Sequence, residues 1–318
     1  MDLLTVTSSD FSILAGKLSR VNRFGLDYET FSKEGTKDGA LEHDSLEVLG
    51  VGFGFEDGER TYVPLRHVYG DNADMHDAME LLSKVLLDPH MEVWAHNMNF
   101  EYKVSRVLGI TPKAKLRCSQ IAQWLLGHKL PAPGGLKLKA AVQHFLKHKM
   151  VTWEEVVPKR TRAEHVLPKT MGDYCSDDSL HCLLLGLKFM EELRELKLED
   201  VFTRLEMAFV PVVVHMKECG ILLDNDYLTS LHDQFSSEMA LYAEEFEELT
   251  GIGISKNQQI SKKMYDETKW WPSKGFKRGK SGYFSVDKKH LEIVEKRLTE
   301  GSPLKAVELK QAYQRIAT

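Results

Sequence analysis

Cysteine is scarce in this chain and forms no pattern. Its four residues, Cys118, Cys175, Cys182 and Cys219, make no CxxC pair and no zinc-like grouping with histidine. That sets aside a disulfide scaffold and a structural zinc, and leaves reduced, mostly packed thiols. Long apolar runs are also missing: no stretch approaches the ~20 residues that a membrane helix needs. The opening MDLLTVTSSDF has no basic region followed by an apolar run, so no secretory leader is expected. The expected location is cytoplasmic, or the host cytoplasm for a viral protein. Nor is there an overall basic charge. The 42 Lys plus Arg against 47 Asp plus Glu leave −5, which argues against a coat protein for nucleic acid but leaves local basic patches open.

What is present is an ordinary globular composition, 42% hydrophobic and 28% charged over 318 residues. At roughly 150 residues per domain, two domains are expected. Apolar alternation predicts strands at Leu3–Thr7, Arg23–Asp27, Glu47–Phe55, Thr61–Pro64 and Val93–Ala95. Ser8, Ser9 and Asp10 offer caps for a helix through Leu18, and Ala78–Leu87 has helical spacing that stops before Asp88-Pro89. A helix begins near Asn97–Phe100, and others are expected around 119–127, 135–147 and 168–198. Strands first and a run of helices after them predict an α/β domain with a central sheet.

Near residue 200 the pattern turns all-helical, which predicts domains at 1–200 and 201–318. Leu205, Phe209, Val212, Val213 and Met216 form one helix face, closed by Gly220 at the C-cap. Leu228, Leu231, Phe235, Met239, Tyr242, Phe246 and Leu249 then repeat at steps of three and four up to Gly251. So long and narrow a seam suits a helical arm. Ser255-Lys256-Asn257-Gln258 reads as a capping box, with Ser255 at N-cap. Beyond it the chain becomes basic: Lys262, Lys263, Lys277, Arg278 and Lys280 are among ten Lys and Arg between 256 and 289, opposed only by Asp266, Glu267 and Asp287. Trp270, Trp271, Phe276, Tyr283 and Phe284 are interleaved with them. In an otherwise acidic chain this concentration predicts contact with a phosphate backbone.

Three acidic stretches carry the chemistry. In GLDYET, residues 25–30, Asp27 and Glu29 share one face of a strand end, an arrangement that needs solvent or a divalent cation to offset the repulsion. In WAHNMNFEY, residues 94–102, Asn97 and Glu101 stand at i and i+4 of a helix. In DYCSDDSLH, residues 173–181, Tyr174 and Asp178 do the same. Each stretch alone is ordinary. In order, they give D-x-E, N-x-x-x-(D/E) and Y-x-x-x-D, the set expected of a two-metal nuclease.

On these three motifs the sequence resembles the 3′–5′ proofreading exonuclease domain of family A DNA polymerases, the DEDD type with tyrosine in its third motif. "LEMAFVPVVVHMKECGILLD" is similar to the start of their polymerase region, and SKNQQ to the tip of their thumb. The resemblance implies a ribonuclease H-like α/β fold, a mixed central sheet flanked by helices, followed by an all-helical thumb-like arm. It implies two Mg²⁺ or Mn²⁺ ions held by Asp27, Glu29, Glu101 and Asp178. Asp27 would bridge both ions, Glu101 would serve the one beside the leaving oxygen, and Tyr174 would orient the attacking water. Thr30 and Asn97 would help hold the terminal nucleotide of DNA. Hard oxygen ligands agree with those ions.

This sequence departs from the family pattern in two ways. The second motif ends in Glu101 where the family usually has aspartate, and the added methylene moves the carboxylate by roughly 1.5 Å. The chain also ends at Thr318, where the family continues into palm and fingers. The resemblance therefore implies no DNA synthesis by this polypeptide alone, and a separate polypeptide carrying those parts. Two rival expectations stand beside the enzyme: a non-catalytic DNA-holding subunit with a degenerate site, and a free-standing RNA-trimming nuclease.

Overall fold

The computed structural model of the chain describes residues 4–6, 10–33 and 45–317. Among the described residues six strands form one mixed sheet. They are β1 (Leu4–Thr5), β2 (Arg23–Ser32), β3 (Leu46–Gly54), β4 (Arg60–Pro64), β5 (Glu92–Ala95) and β6 (Lys115–Cys118). Their order across the sheet is β1-β4-β3-β2-β5-β6. β2, β3 and β4 pair antiparallel, β1 lies parallel to β4, and β5 and β6 extend the other edge in parallel. Leu3, Thr7, Ser8 and Ser9 of the expected first strand and caps lie outside the described residues.

The helices of this part are α1 (Phe11–Leu18), α2 (Met75–Leu86), α3 (Met98–Val107), α4 (Ser119–Leu125), α5 (Leu138–Ala141), α6 (Trp153–Val156), α7 (Pro168–Glu195) and α8 (Met207–Cys219). α2 starts three residues before the expected Ala78 because Asp74 caps it, its carboxylate accepting from the backbone N–H groups of His76 and Asp77. α7 begins with Pro168 in its first turn, where a missing N–H costs nothing. It crosses the sheet against backbone, because Gly25, Gly52 and Gly54 leave room for it. A Cβ at Gly25 would lie 1.9 Å from the Ser179 carbonyl oxygen, and one at Gly54 2.2 Å from Leu180 Cα. The main core is built from both partners, with Phe24, Leu26, Phe53, Trp94, Leu183 and Phe189 fully enclosed.

The chain divides into two compact units, Met1–Gly220 and Ile221–Thr318. The division falls after Gly220 rather than near residue 200, because Phe202, Met207, Val210 and Val214 belong to the first unit's core. α8 therefore has the expected period but a different phase. Leu205, Phe209, Val212 and Met216, the face expected to pack, are exposed. Gly220 closes it as expected.

The second unit contains α9 (Asn225–Thr250), α10 (Asn257–Ser261), α11 (Lys288–Glu295) and α12 (Ser302–Ile316). Gly251 ends α9 in the left-handed region, φ 66°. Only the last part of its seam is enclosed: Phe246 is buried, whereas Leu228 and Phe235 are exposed. The capping box does not form. Lys256 is the N-cap of α10, and Ser255 lies in the tight turn before it, its carbonyl accepting from Asn257. Four of the five interleaved aromatics turn inward: Trp271 is buried in this unit's core, and Trp270, Phe276 and Phe284 pack against it. Among the described residues no helix is long and apolar enough to cross a membrane.

Candidate active site

β2 does not stop at Asp27. It stays paired with β3 from Gly25↔Gly54 to Ser32↔Leu46, so Asp27 and Glu29 are mid-strand rather than at a strand end. A register shift between Glu29 and Thr30 breaks the alternation directly after the two acids. Asp27 faces Gly52 and Glu29 faces Gly50 across the pair. The same glycine-lined stretch admits α7, which carries Tyr174, Cys175 and Asp178 to the acids. Cys175 Sγ donates to the Asp27 carbonyl at 3.3 Å. One donor atom each from Asp27, Glu29 and Cys175 lie within 4.8 Å of one another.

Glu101 enters from the first turn of α3. Asn97 is not on that helix face. It is the N-cap, held in the left-handed region at φ 74°, with an exposed side chain. Asparagine tolerates this conformation better than most residues. Glu29, Glu101 and Asp178 are buried, and Asp27 and Tyr174 are half-buried.

Electrostatics tie the four carboxyls into one cluster. Burial pushes Asp27 up to about 8, and the charge of Asp178 adds to it. Burial, then Asp27 and Asp178, push Glu29 well above the carboxylate range. Burial and Asp27 do the same to Glu101. Asp178 rises by burial to about 6, restrained by the charge and hydrogen bond of Lys139. Burial and the neighbouring acids raise the Tyr174 phenol, so it stays protonated. These directions are what like charges out of water produce.

Lys139, on α5, was not legible in the sequence. Its Nζ lies 3.0 and 3.1 Å from the two Asp178 oxygens and 3.9 Å from the centre of the Tyr174 ring. No spacing in GGLKLKAA ties it to the acids; only the need for a counter-cation does. Cys175, expected only to pack, also meets Asp27, a contact that depends on how α7 crosses β2.

A cavity of about 390 Å³ opens beside Tyr174 and Asp178, with Arg60, His148 and Asp177 on its wall. Asp177 is the hub of a second polar cluster, 3.2 Å from Arg60, 3.3 Å from His148 and 3.2 Å from His181. Burial pushes the Asp177 carboxyl up, but the His181 hydrogen bond and the surrounding positive charge outweigh it and hold it low. This cluster is poorly built for a metal. The two imidazoles stack at 4.1 Å with 5° between planes, so their in-plane lone pairs do not converge on one ion.

The acid cluster fits a divalent cation better. Its donors are hard oxygens, four carboxylates from β2, α3 and α7. Glu101 Oε2 is buried with no hydrogen-bond partner, a costly state that a cation relieves.

The other expected substrate contacts divide. Thr30 follows the β2 irregularity. In the second unit, Lys277 and Lys280 are exposed. Lys262 pairs with Glu267 at 3.5 Å, and Lys263 is half-buried. Arg278 serves the unit's own structure, bonding to Asp266 and to the Gly282 carbonyl and lying 4.4 Å over the Phe284 ring.

Comparison with known proteins adds to this geometry. A family model of the DNA polymerase A type, described as 3'-5' exonuclease, matches residues 5–194. The DNA polymerase I of Borreliella burgdorferi is 24% identical over 260 residues, covering 82% of this chain but 27% of the relative. The chain thus spans about a quarter of that protein's length. The polymerase domain of Pol1 from M. smegmatis, solved with DNA primer-template and dNTP, aligns with TM-score 0.59 and 17% identity. That alignment covers 99% of this chain and 48% of that one. Brucella melitensis NrnC with bound Mg²⁺ aligns with TM-score 0.50 and 16% identity over 69% of this chain and 95% of its own.

Proposed function

The chain belongs to the 3′–5′ exonuclease family of DNA polymerase A type, and from that premise we propose that it hydrolyses DNA from the 3′ end in a proofreading role. The observation that carries the reading is the convergence of Asp27, Glu29, Glu101 and Asp178 from β2, α3 and α7, with a Glu101 oxygen left buried and unpaired.

In this proposal the four carboxylates hold two Mg²⁺ or Mn²⁺ ions. Bound there, such ions supply Lewis acidity to the water that attacks and to the oxygen that leaves. The chain's own groups do the rest. Tyr174, kept protonated by burial and the nearby acids, donates its O–H and orients the water rather than removing its proton. The cavity beside Tyr174 and Asp178 receives the terminal nucleotide, and Thr30 and Asn97 help to hold it in this reading. Glu101 supports the enzyme over the DNA-holding scaffold: its carboxyl is buried beside the other acids with Oε2 unpaired, not displaced to the surface.

The exposed Lys277 and Lys280, with Lys262, Lys263 and Arg278 nearby in the fold, meet primer–template phosphates in this reading. The test is incubation of a 5′-labelled single-stranded oligonucleotide with the protein and Mg²⁺ or Mn²⁺. A ladder shortening from the 3′ end supports the proposal, and an intact oligonucleotide at every metal concentration supports the scaffold.

A further inference from the structure

Lys139 is placed where a cation is needed and no motif asks for one. Both Asp178 oxygens are within hydrogen-bond distance of its ammonium, at 3.0 and 3.1 Å, and the charge is felt at Asp27 and Glu29. The ammonium also lies 3.9 Å from the Tyr174 ring centre, where the ring's negative face holds it. A metal ion seated on Asp178 would share those two oxygens with Lys139 and be repelled by its positive charge.

We propose that Lys139 is an internal counter-cation: it holds the four carboxylates together in the metal-free protein and competes with the divalent ion for Asp178. This inference rests on the reading of the acids as a metal site. A single ammonium offsets one negative charge, whereas a divalent ion offsets two and takes the hard oxygens as ligands. The flexible four-carbon stem lets the lysine withdraw when the ion arrives. Lys139 is thus a positioning residue, acting on the reaction through Asp178 and Tyr174. It makes the empty site tolerable at the expense of metal affinity.

The two effects have opposite signs, which a residue that merely fills space does not produce. The test uses the full chain without DNA, so no turnover enters. Mn²⁺ is titrated by electron paramagnetic resonance into wild type, Lys139→Met and Lys139→Arg, and the melting temperature of each is taken in EDTA. Lys139→Met should bind Mn²⁺ on the order of tenfold more tightly, equivalent to about 1.4 kcal/mol, yet melt lower than wild type in EDTA. Lys139→Arg keeps the charge and should bind no more tightly than wild type. If methionine prevents folding, Lys139→Gln carries the same measurement. Equal or weaker Mn²⁺ binding by the neutral variants, with wild type binding normally, overturns the counter-cation and leaves the metal site standing. If neither wild type nor neutral variant binds Mn²⁺, the metal reading falls and this inference with it.

Discussion

Replacing Asp27 with asparagine should stabilise the metal-free protein while removing its function. Asp27 rises from an ordinary 3.8 to about 8 through burial and the charge of Asp178. At pH 7 the folded protein therefore keeps a proton that the unfolded chain has released. The interval from 3.8 to pH 7 is roughly three pH units, and at about 1.4 kcal/mol per unit it amounts to about 4 kcal/mol of lost stability. Asp27 is partly open to solvent, and screening removes a share of this, leaving a gain of about 2 kcal/mol for Asp27→Asn. Asparagine keeps the backbone carbonyl that Cys175 bonds to, so no packing is lost. The assay is urea unfolding at pH 7 in EDTA, followed by hydrogen exchange of β2 and β3 so that the first unit is read alone. The gain should shrink at pH 5, where the interval is shorter. A variant less stable than wild type at pH 7 in EDTA refutes the idea that burial and the charge of Asp178 disfavour an ionised Asp27.

The same shifts give a pH dependence for wild type. Asp27, Glu29, Glu101 and Asp178 all have raised folded values, so their contribution is fully present below about pH 4 and lost as pH rises through the folded values. The melting temperature in EDTA should fall between pH 5 and pH 8, and saturating Mg²⁺ should flatten that fall; a metal-free protein that gains stability over the window contradicts this. Glu101→Asp should retain cleavage with a shifted preference between Mg²⁺ and Mn²⁺, read from rates against each metal. A loss as severe as that of Asp27→Asn would show a backbone adapted to glutamate. Lys277→Glu with Lys280→Glu should weaken primer–template binding and lower the slope of log K against log salt by about 0.9 for each phosphate no longer neutralised. An unchanged slope makes these lysines solvent-facing only. Deleting 256–289 is a poor substitute, because Tyr265 and Trp271 are core residues of the second unit.

The acid cluster of the candidate site was legible because its logic is local in sequence. The D-x-E of β2, the acid one turn into α3 and the Tyr-Asp pair of α7 each carry a period that survives without tertiary information. What was not legible depends on contacts made across the fold. Lys139 reaches Asp178 only because α5 packs beside α7, and Cys175 meets Asp27 only because Gly52 lets α7 approach. α8 shows the limit of periodicity. Two apolar faces exist, Leu205–Phe209–Val212–Met216 and Phe202–Met207–Val210–Val214, and only packing chooses the second. In the basic stretch the aromatic residues have the spacing of stacking platforms, but Trp271 is core and Trp270, Phe276 and Phe284 pack against it, as a small helical unit needs.

The proposed chemistry turns on acids from β2, α3 and α7 forming one divalent-cation site. Crystals of the protein soaked in Mn²⁺ and measured at the manganese absorption edge test it most directly. Two anomalous peaks about 3.5–4 Å apart are expected, lying among Asp27, Glu29, Glu101 and Asp178. Manganese confined to the His148–Asp177–His181 cluster, or absent from the acids at saturating concentration, contradicts it.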